Sequence, residues 1–226
     1  MRIRLALHIH SDFSADSNIT LNDIISQCKQ NKIGCIGLTD HNTALGAIKY
    51  QNKLNENGIQ LIVGEEIKTD VGEIIGLFLD KNIDHKKNGK VITLKEALQE
   101  IKNQNGLVFA PHPFDKFRWG IGKKNCEKYQ DQIDAYEIFN SRTKISYFNK
   151  QAEKYVSEHN LIPFIGSDAH ISHEIPHAII EMEEFKTKEE FLRNLKRSDT
   201  IFYKQRLRLT DVVRPTMIKV KKKLHI

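Results

Sequence analysis

Apolar and polar positions alternate along this chain in two rhythms. Short apolar runs at residues 3–7, 33–38, 60–63, 73–79, 107–110, 135–139 and 163–166 read as strands. Longer amphipathic stretches at residues 21–31, 44–57, 94–103, 145–159 and 188–196 read as helices. Asn57-Gly58 and Asn105-Gly106 each follow a helical run and precede a strand, as helix stops do. Strands alternating with helices of this length predict βαβ units and a mostly parallel sheet. No internal repeat or linker interrupts the pattern, so residues 1–200 read as one α/β domain.

Composition narrows the class. Of 226 residues, 39% are hydrophobic and 28% charged, which suits a folded globular chain and excludes a disordered one. No apolar run approaches the roughly 18 residues of a membrane span, and His8 and His10 break the apolar start too early for a signal peptide. The expectation is a cytoplasmic protein with no membrane partner. Cys28, Cys35 and Cys126 contain no CxxC pair, which argues against a disulfide framework and against a cysteine zinc site.

The net charge of +6 is uneven: residues 201–226 carry eight Lys or Arg against Asp211 alone. That segment reads as a basic C-terminal extension, helical and packed on the body, with Val212, Val213, Met217 and Ile218 spaced to face it. Its charges suit a weak nucleic-acid contact, and the active face is expected not to need it.

Candidate chemistry gathers at the strand ends. His8 and His10 close the first strand as an H-x-H pair, which period-two geometry puts on one face. His41 follows the second strand, Glu65 and Glu66 the third, His112 the strand at 107–110, and Asp168 and His170 the last. In a parallel α/β barrel the C-terminal strand ends meet on one face, where active sites form. Imidazole with carboxylate suits Zn²⁺, Mn²⁺ or Fe²⁺, and so many groups exceed what one ion needs. A nucleophile elbow, a Walker loop and a dinucleotide fingerprint are all missing from the sequence.

His8-Ile9-His10-Ser11, Thr39-Asp40-His41-Asn42-Thr43, Pro111-His112-Pro113 and Ser167-Asp168-Ala169-His170 resemble, in order, the four motifs of the PHP (polymerase and histidinol phosphatase) family. The resemblance runs from about residue 3 to about residue 185, with Gly64-Glu65-Glu66-Ile67 and His112-Pro113-Phe114-Asp115 similar to its small stand-alone branch. It implies a distorted (β/α)7 TIM-like barrel, two to three divalent ions and hydrolysis of phosphate esters. Carried across, it assigns His8, His10, Glu65 and Asp168 to a first ion, and a bridging Glu65 with His112 to a second. Asp16, His41 and His170 take the third. Two positions depart from the pattern. Ala15 stands where many relatives have a carboxylate, which moves that role to Asp16, and Glu73 stands where many have histidine. A carboxylate ligand at Glu73 is harder and favours Mn²⁺ or Fe²⁺.

The implied reaction attacks a phosphorylated small molecule or a nucleic-acid end with metal-activated water. His170 or Asp40 would assist the leaving oxygen, and Arg142 or Arg118 would clamp phosphate oxygens. The competing readings are a non-phosphate metallohydrolase and a nucleic-acid-associated accessory domain with a structural or vestigial metal site.

Overall fold

The computed structural model describes residues 1–207 and 214–224, so Val212, Val213 and Asp211 in the extension lie outside the described residues. The first apolar run forms β1 (Arg2–Ile9), buried over its last five residues. It is followed by α1 (Leu21–Asn31), β2 (Cys35–Leu38), α2 (Leu45–Glu56), β3 (Gln60–Lys68) and β4 (Glu73–Leu77). A small hairpin, β5 (Lys86–Lys87) with β6 (Lys90–Val91), leads to α3 (Leu94–Asn103) and β7 (Leu107–Ala110). Then come α4 (Gly122–Lys128), β8 (Ala135–Asn140), α5 (Ser146–Glu158) and β9 (Pro163–Ala169). The chain ends with β10 (Ala178–Glu183), α6 (Lys188–Leu195), β11 (Ile201–Lys204) and α7 (Arg214–Leu224).

β1 pairs in parallel with both β2 and β9, which closes β1-β2-β3-β4-β7-β8-β9 into a seven-strand barrel surrounded by helices. This is the distorted TIM-like barrel expected from the sequence. The helices form where the apolar spacing puts one face inward: α3 buries Leu94, Ala97, Leu98 and Ile101. Thr20 with Asp23 and Thr93 with Glu96 make capping boxes at α1 and α3, satisfying amide groups that the first turn leaves unpaired.

The distortion lies at β4, which is antiparallel to both β3 and β7. Its start, Glu73, therefore pairs with Lys68 at the end of β3 and stands on the face where the parallel strands finish. β10 runs antiparallel to the beginning of β1, and β11 antiparallel to β10, so the sheet continues past the barrel. Residues 201–204, expected as the start of the extension, are thus part of the sheet. All three cysteines are free and buried, and burial pushes the thiols of Cys28 and Cys126 up to about 12. No helix among the described residues is long and apolar enough to cross a membrane.

Candidate metal centre

The parallel strands finish in distorted backbone. His8, His112 and Asp168 have φ of 59°, 29° and 52°, a left-handed region that costs a bulky residue about 1–3 kcal/mol each. At His8 the pairing of β1 with β2 slips between Ala6 and Ile9, which re-aims the side chains at the strand end. Such strain persists only where the surroundings enforce it, and here it collects around one cluster of side chains.

Glu66 is the hub of that cluster. Its Oε1 lies 3.2 Å from His8 Nε2 and 3.2 Å from His112 Nε2. Its Oε2 lies 2.9 Å from His41 Nδ1 and 3.4 Å from His10 Nε2. Asp168 Oδ1 stands 3.4 Å from His10 Nε2, and Asp168 Oδ2 accepts from Asn140 and from the Arg118 guanidinium. On the outer side, Asp16 spans His41 Nε2 at 3.5 Å and His170 Nε2 at 3.6 Å. Glu73 Oε2 is 3.9 Å from His112 Nε2.

Hydrogen bonds behind the cluster orient its rings. His8 Nδ1 donates to Glu137 Oε1 at 3.0 Å, which leaves Nε2 facing Glu66 and Asp168. The other Glu137 oxygen accepts from the His112 backbone N–H at 2.6 Å and from Asn140 at 2.9 Å. Gly166 makes room for this: a Cβ there would strike the Glu137 carboxylate and His8. His170 Nδ1 donates to the Asp168 carbonyl at 2.8 Å, so its Nε2 faces Asp16.

The residues fit a group of divalent cations on one observation. His8 Nε2, His10 Nε2, Asp16 Oδ1, Glu66 Oε2 and Asp168 Oδ1 are buried without a directed hydrogen bond. Orphaned donors and acceptors are costly in a protein interior, and bound cations would satisfy these five. Donor atoms of His8, His10 and Glu66 lie within 4.8 Å of one another, as do those of His8, His112 and Asp168, of His10, His41 and His170, and of His41, Glu66 and Glu73.

The charges in the cluster are mutually held. Burial opposes ionisation of Glu66, yet His8 and His41 keep its carboxyl well below the usual range. Asp168 is held low against burial by Arg118 and His8, and Asp16 against burial by His41. The same contacts raise His8 and His41 well above ordinary imidazole despite burial. His10 and His170 are pushed down, first by burial and then by a neighbouring imidazole. Burial and the charge of Glu66 push Glu73 up to about 7. A cation held here would compete with the protons of His8, His41 and Glu73.

Of the residues singled out in the sequence, His8, His10, Asp16, His41, Glu73, His112, Asp168 and His170 come together. Glu65 does not. It pairs with Gly76, whose missing side chain would face Ile101 of α3, so alternation along β3 turns Glu65 to the helical layer and Glu66 into the barrel. Its Oε2 accepts from the Ile83 N–H at 2.8 Å, and burial lifts its carboxyl to about 8. The place among the histidines expected for Glu65 is therefore taken by Glu66.

Asp40 also stays outside the cluster. Its carboxylate accepts from Ser11 N at 2.6 Å, Ser11 Oγ at 2.7 Å and Ser14 Oγ at 2.8 Å, so it ties the loop that carries Asp16. Arg118 lies on the cluster through Asp168. Arg142 lines the cavity above, with its Nη1 held by both oxygens of Glu174.

That cavity holds about 240 Å³, walled by Asp16, His41, Glu73, Arg118 and His170. Pro215 and Thr216 of α7 line it too, and Lys222 Nζ donates to the carbonyls of Asp12 at 2.9 Å and Ser14 at 2.8 Å. The extension thus borders the cavity on the face that was expected not to need it. Met217, expected to pack, is 58% exposed.

Glu137, Asn140 and Glu174 escaped the sequence reading. Their signal was available: a carboxylate inside the buried run Ala135–Asn140 needs a cationic or hydrogen-bonding partner.

Comparisons with known proteins bear on the fold and the family. An uncharacterised protein of Methanocaldococcus jannaschii is 30% identical over 227 residues, taking in 98% of this chain and 85% of that one. A two-domain protein from Bacteroides vulgatus containing a predicted PHP-like metal-dependent phosphoesterase superposes with a TM-score of 0.74 at 18% identity, over 97% of this chain and 70% of the other. A lesion-specific endonuclease from Pyrococcus furiosus superposes at 0.63 with 16% identity, over 89% of this chain and 58% of its own. At those identities the two structures share the fold alone. The PHP domain family model matches residues 6–196, which include every residue of the cluster, and the chain belongs to that family.

Proposed function

We propose that this chain is a metal-dependent phosphoesterase, acting on a phosphomonoester or terminal phosphodiester of a nucleotide, an oligonucleotide end or a small metabolite. The carrying observation is the set of five orphaned, buried donor atoms beneath a cavity walled by two arginines. His8, His10, Glu66 and Asp168 would hold one ion, and His112 with Glu66 and Glu73 a second. Asp16, His41 and His170 would hold a third. Mixed imidazole and carboxylate ligands suit Zn²⁺, Mn²⁺ or Fe²⁺, and Glu73 favours the harder two. When bound, such ions polarise a phosphoryl oxygen and acidify a water.

The chain's own residues do the rest. Glu137 fixes the His8 tautomer and braces the His112 backbone. Arg118 and Arg142 offer planar guanidinium groups to phosphate oxygens, the latter held at Nη1 by Glu174. His170, depressed and with Nδ1 engaged, acts through Nε2 as a ligand and not as a proton donor. Free, buried cysteines suit a reducing cytoplasmic compartment.

The test is metal analysis of the purified protein, then chelation and separate reloading with Zn²⁺, Mn²⁺ and Fe²⁺ against phosphomonoesters, phosphodiesters and amides. Phosphoester turnover that disappears with the metal and returns with it is expected. Amide turnover alone would make the chain a different hydrolase. Salt-sensitive nucleic-acid binding without turnover under any metal would make it an accessory domain.

A further inference from the structure

A second cavity of about 460 Å³ opens beside the metal cavity, lined by Asp115, Phe117, Arg118, Arg142, Lys144 and Ile145. Three of these residues, Phe117, Arg118 and Arg142, also line the metal cavity, so the two spaces share a wall. Its size falls in the roughly 300–1,000 Å³ of small-molecule sites.

The wall is aromatic as well as cationic. Phe117 is 71% exposed and Trp119 56% exposed, with Lys68 Nζ 4.4 Å from the Trp119 ring centroid. Phe117 meets Phe148 edge-on at 6.0 Å, and Phe148 meets Tyr147, itself 63% exposed, at 6.1 Å. Among the described residues the only other exposed aromatic is Tyr203, on β11. Phe117 lines both cavities and Trp119 the metal cavity, and exposed rings beside guanidinium groups favour planar partners.

The shelf is built and held. Asp115 accepts from the Phe117 N–H at 3.0 Å, and Arg118, between Phe117 and Trp119 in the chain, reaches inward to Asp168. The Trp119 carbonyl accepts from the Glu73 N–H at 2.8 Å, and Gly122 N–H donates to Pro113. Phe117 and Trp119 are therefore displayed by a short turn fastened to β4 at Glu73 and to the loop after β7 at Pro113.

We propose that this second cavity takes the planar heteroaromatic ring of the substrate, stacked on Phe117, while the phosphate lies over the metal cluster. The substrate class is then a nucleoside monophosphate, free or at a chain end, in preference to a ringless sugar or alkyl phosphate. The inference rests on the phosphoesterase reading of the neighbouring site.

Trp119, the chain's single tryptophan, lines the metal cavity beside Phe117, so its emission reports ligand binding without turnover. Adenosine 5′-monophosphate and ribose 5-phosphate, which differ by the base alone, are titrated into metal-loaded protein and read by stopped flow. Stacking of one base predicts a midpoint roughly 5- to 150-fold lower for the nucleotide. In Phe117→Ala that ratio falls towards one, and in Phe117→Tyr it is restored. Because Phe117 is largely exposed, the variant keeps its fold, checked by its metal content. Equal midpoints in the parent, no binding of either ligand, or a ratio that survives Phe117→Ala would overturn the ring site. If the ratio is seen but no phosphoester is hydrolysed, the enzymatic reading fails and the ring site stands. If ribose phosphates are hydrolysed with no gain from the base, the reverse holds.

Discussion

At the residue scale, adjacent carboxylates in β3 have opposite fates. Glu66 touches four imidazoles, whereas Glu65 faces the helical layer with a raised carboxyl. Glu66→Gln should lower metal content and cut activity at least tenfold to hundredfold, since even partners of ligands are worth about that much. Glu65→Gln should retain the metal, by elemental analysis. Its stability has a definite pH sign. A carboxyl near 8 in the fold and 4.5 when unfolded stabilises fully below 4.5 and loses that contribution as pH rises through 8. The melting temperature of Glu65→Gln should therefore gain on the parent's between pH 5 and 8; a constant gap would contradict the protonated assignment. In the neighbouring loop, Asp16→Ala should weaken one metal site while Asp12→Ala does much less, because Asp12 accepts from Tyr50 at 2.6 Å away from the cluster. Equal metal loss in both would show that Asp16 is not a ligand.

At the scale of elements, β4 and α7 shape the site. β4 reverses direction, which is why a residue at the start of a strand can join groups at the ends of the others. α7 lies at the cavity. Met217, Val220 and Leu224 are exposed, and Lys222 supplies two bonds to the loop carrying Asp16. Lys222→Ala should speed amide exchange across α7 while the barrel's unfolding free energy changes by less than about 0.5 kcal/mol, as for a surface substitution. Unchanged exchange would mean that other contacts hold the helix.

At the scale of the molecule, the cluster couples metal, protons and stability. Burying Asp16, Glu66 and Asp168 beside raised His8 and His41 is tolerable without an ion only through mutual pairing. Binding then releases protons, so metal affinity should rise with pH, and calorimetry in buffers of different ionisation enthalpy should detect the release. Ions at about a hundred times their Kd add about 2.7 kcal/mol, so chelation should lower the melting temperature by roughly 5–10 °C. An unchanged melting curve with the metal removed would show that the cluster does not bind it in the folded state.

What the sequence determined by itself was periodic or local. All seven barrel strands and five helices follow from apolar spacing, and the H-x-H pair and the strand-end histidines follow from the period-two rule. The choice between Glu65 and Glu66 was not local: both are buried, and only the pairing of β3 with β4 decides which one faces the barrel. Glu137 and Asn140 gain their meaning from His8 and Asp168, distant in the chain and adjacent once β8, β9 and β1 close the ring. The same holds for Asp40, which looks catalytic beside His41 yet is bound by two serines of another loop. Periodicity records which residues are buried. Which buried residues meet depends on register and closure, and those belong to the whole sheet.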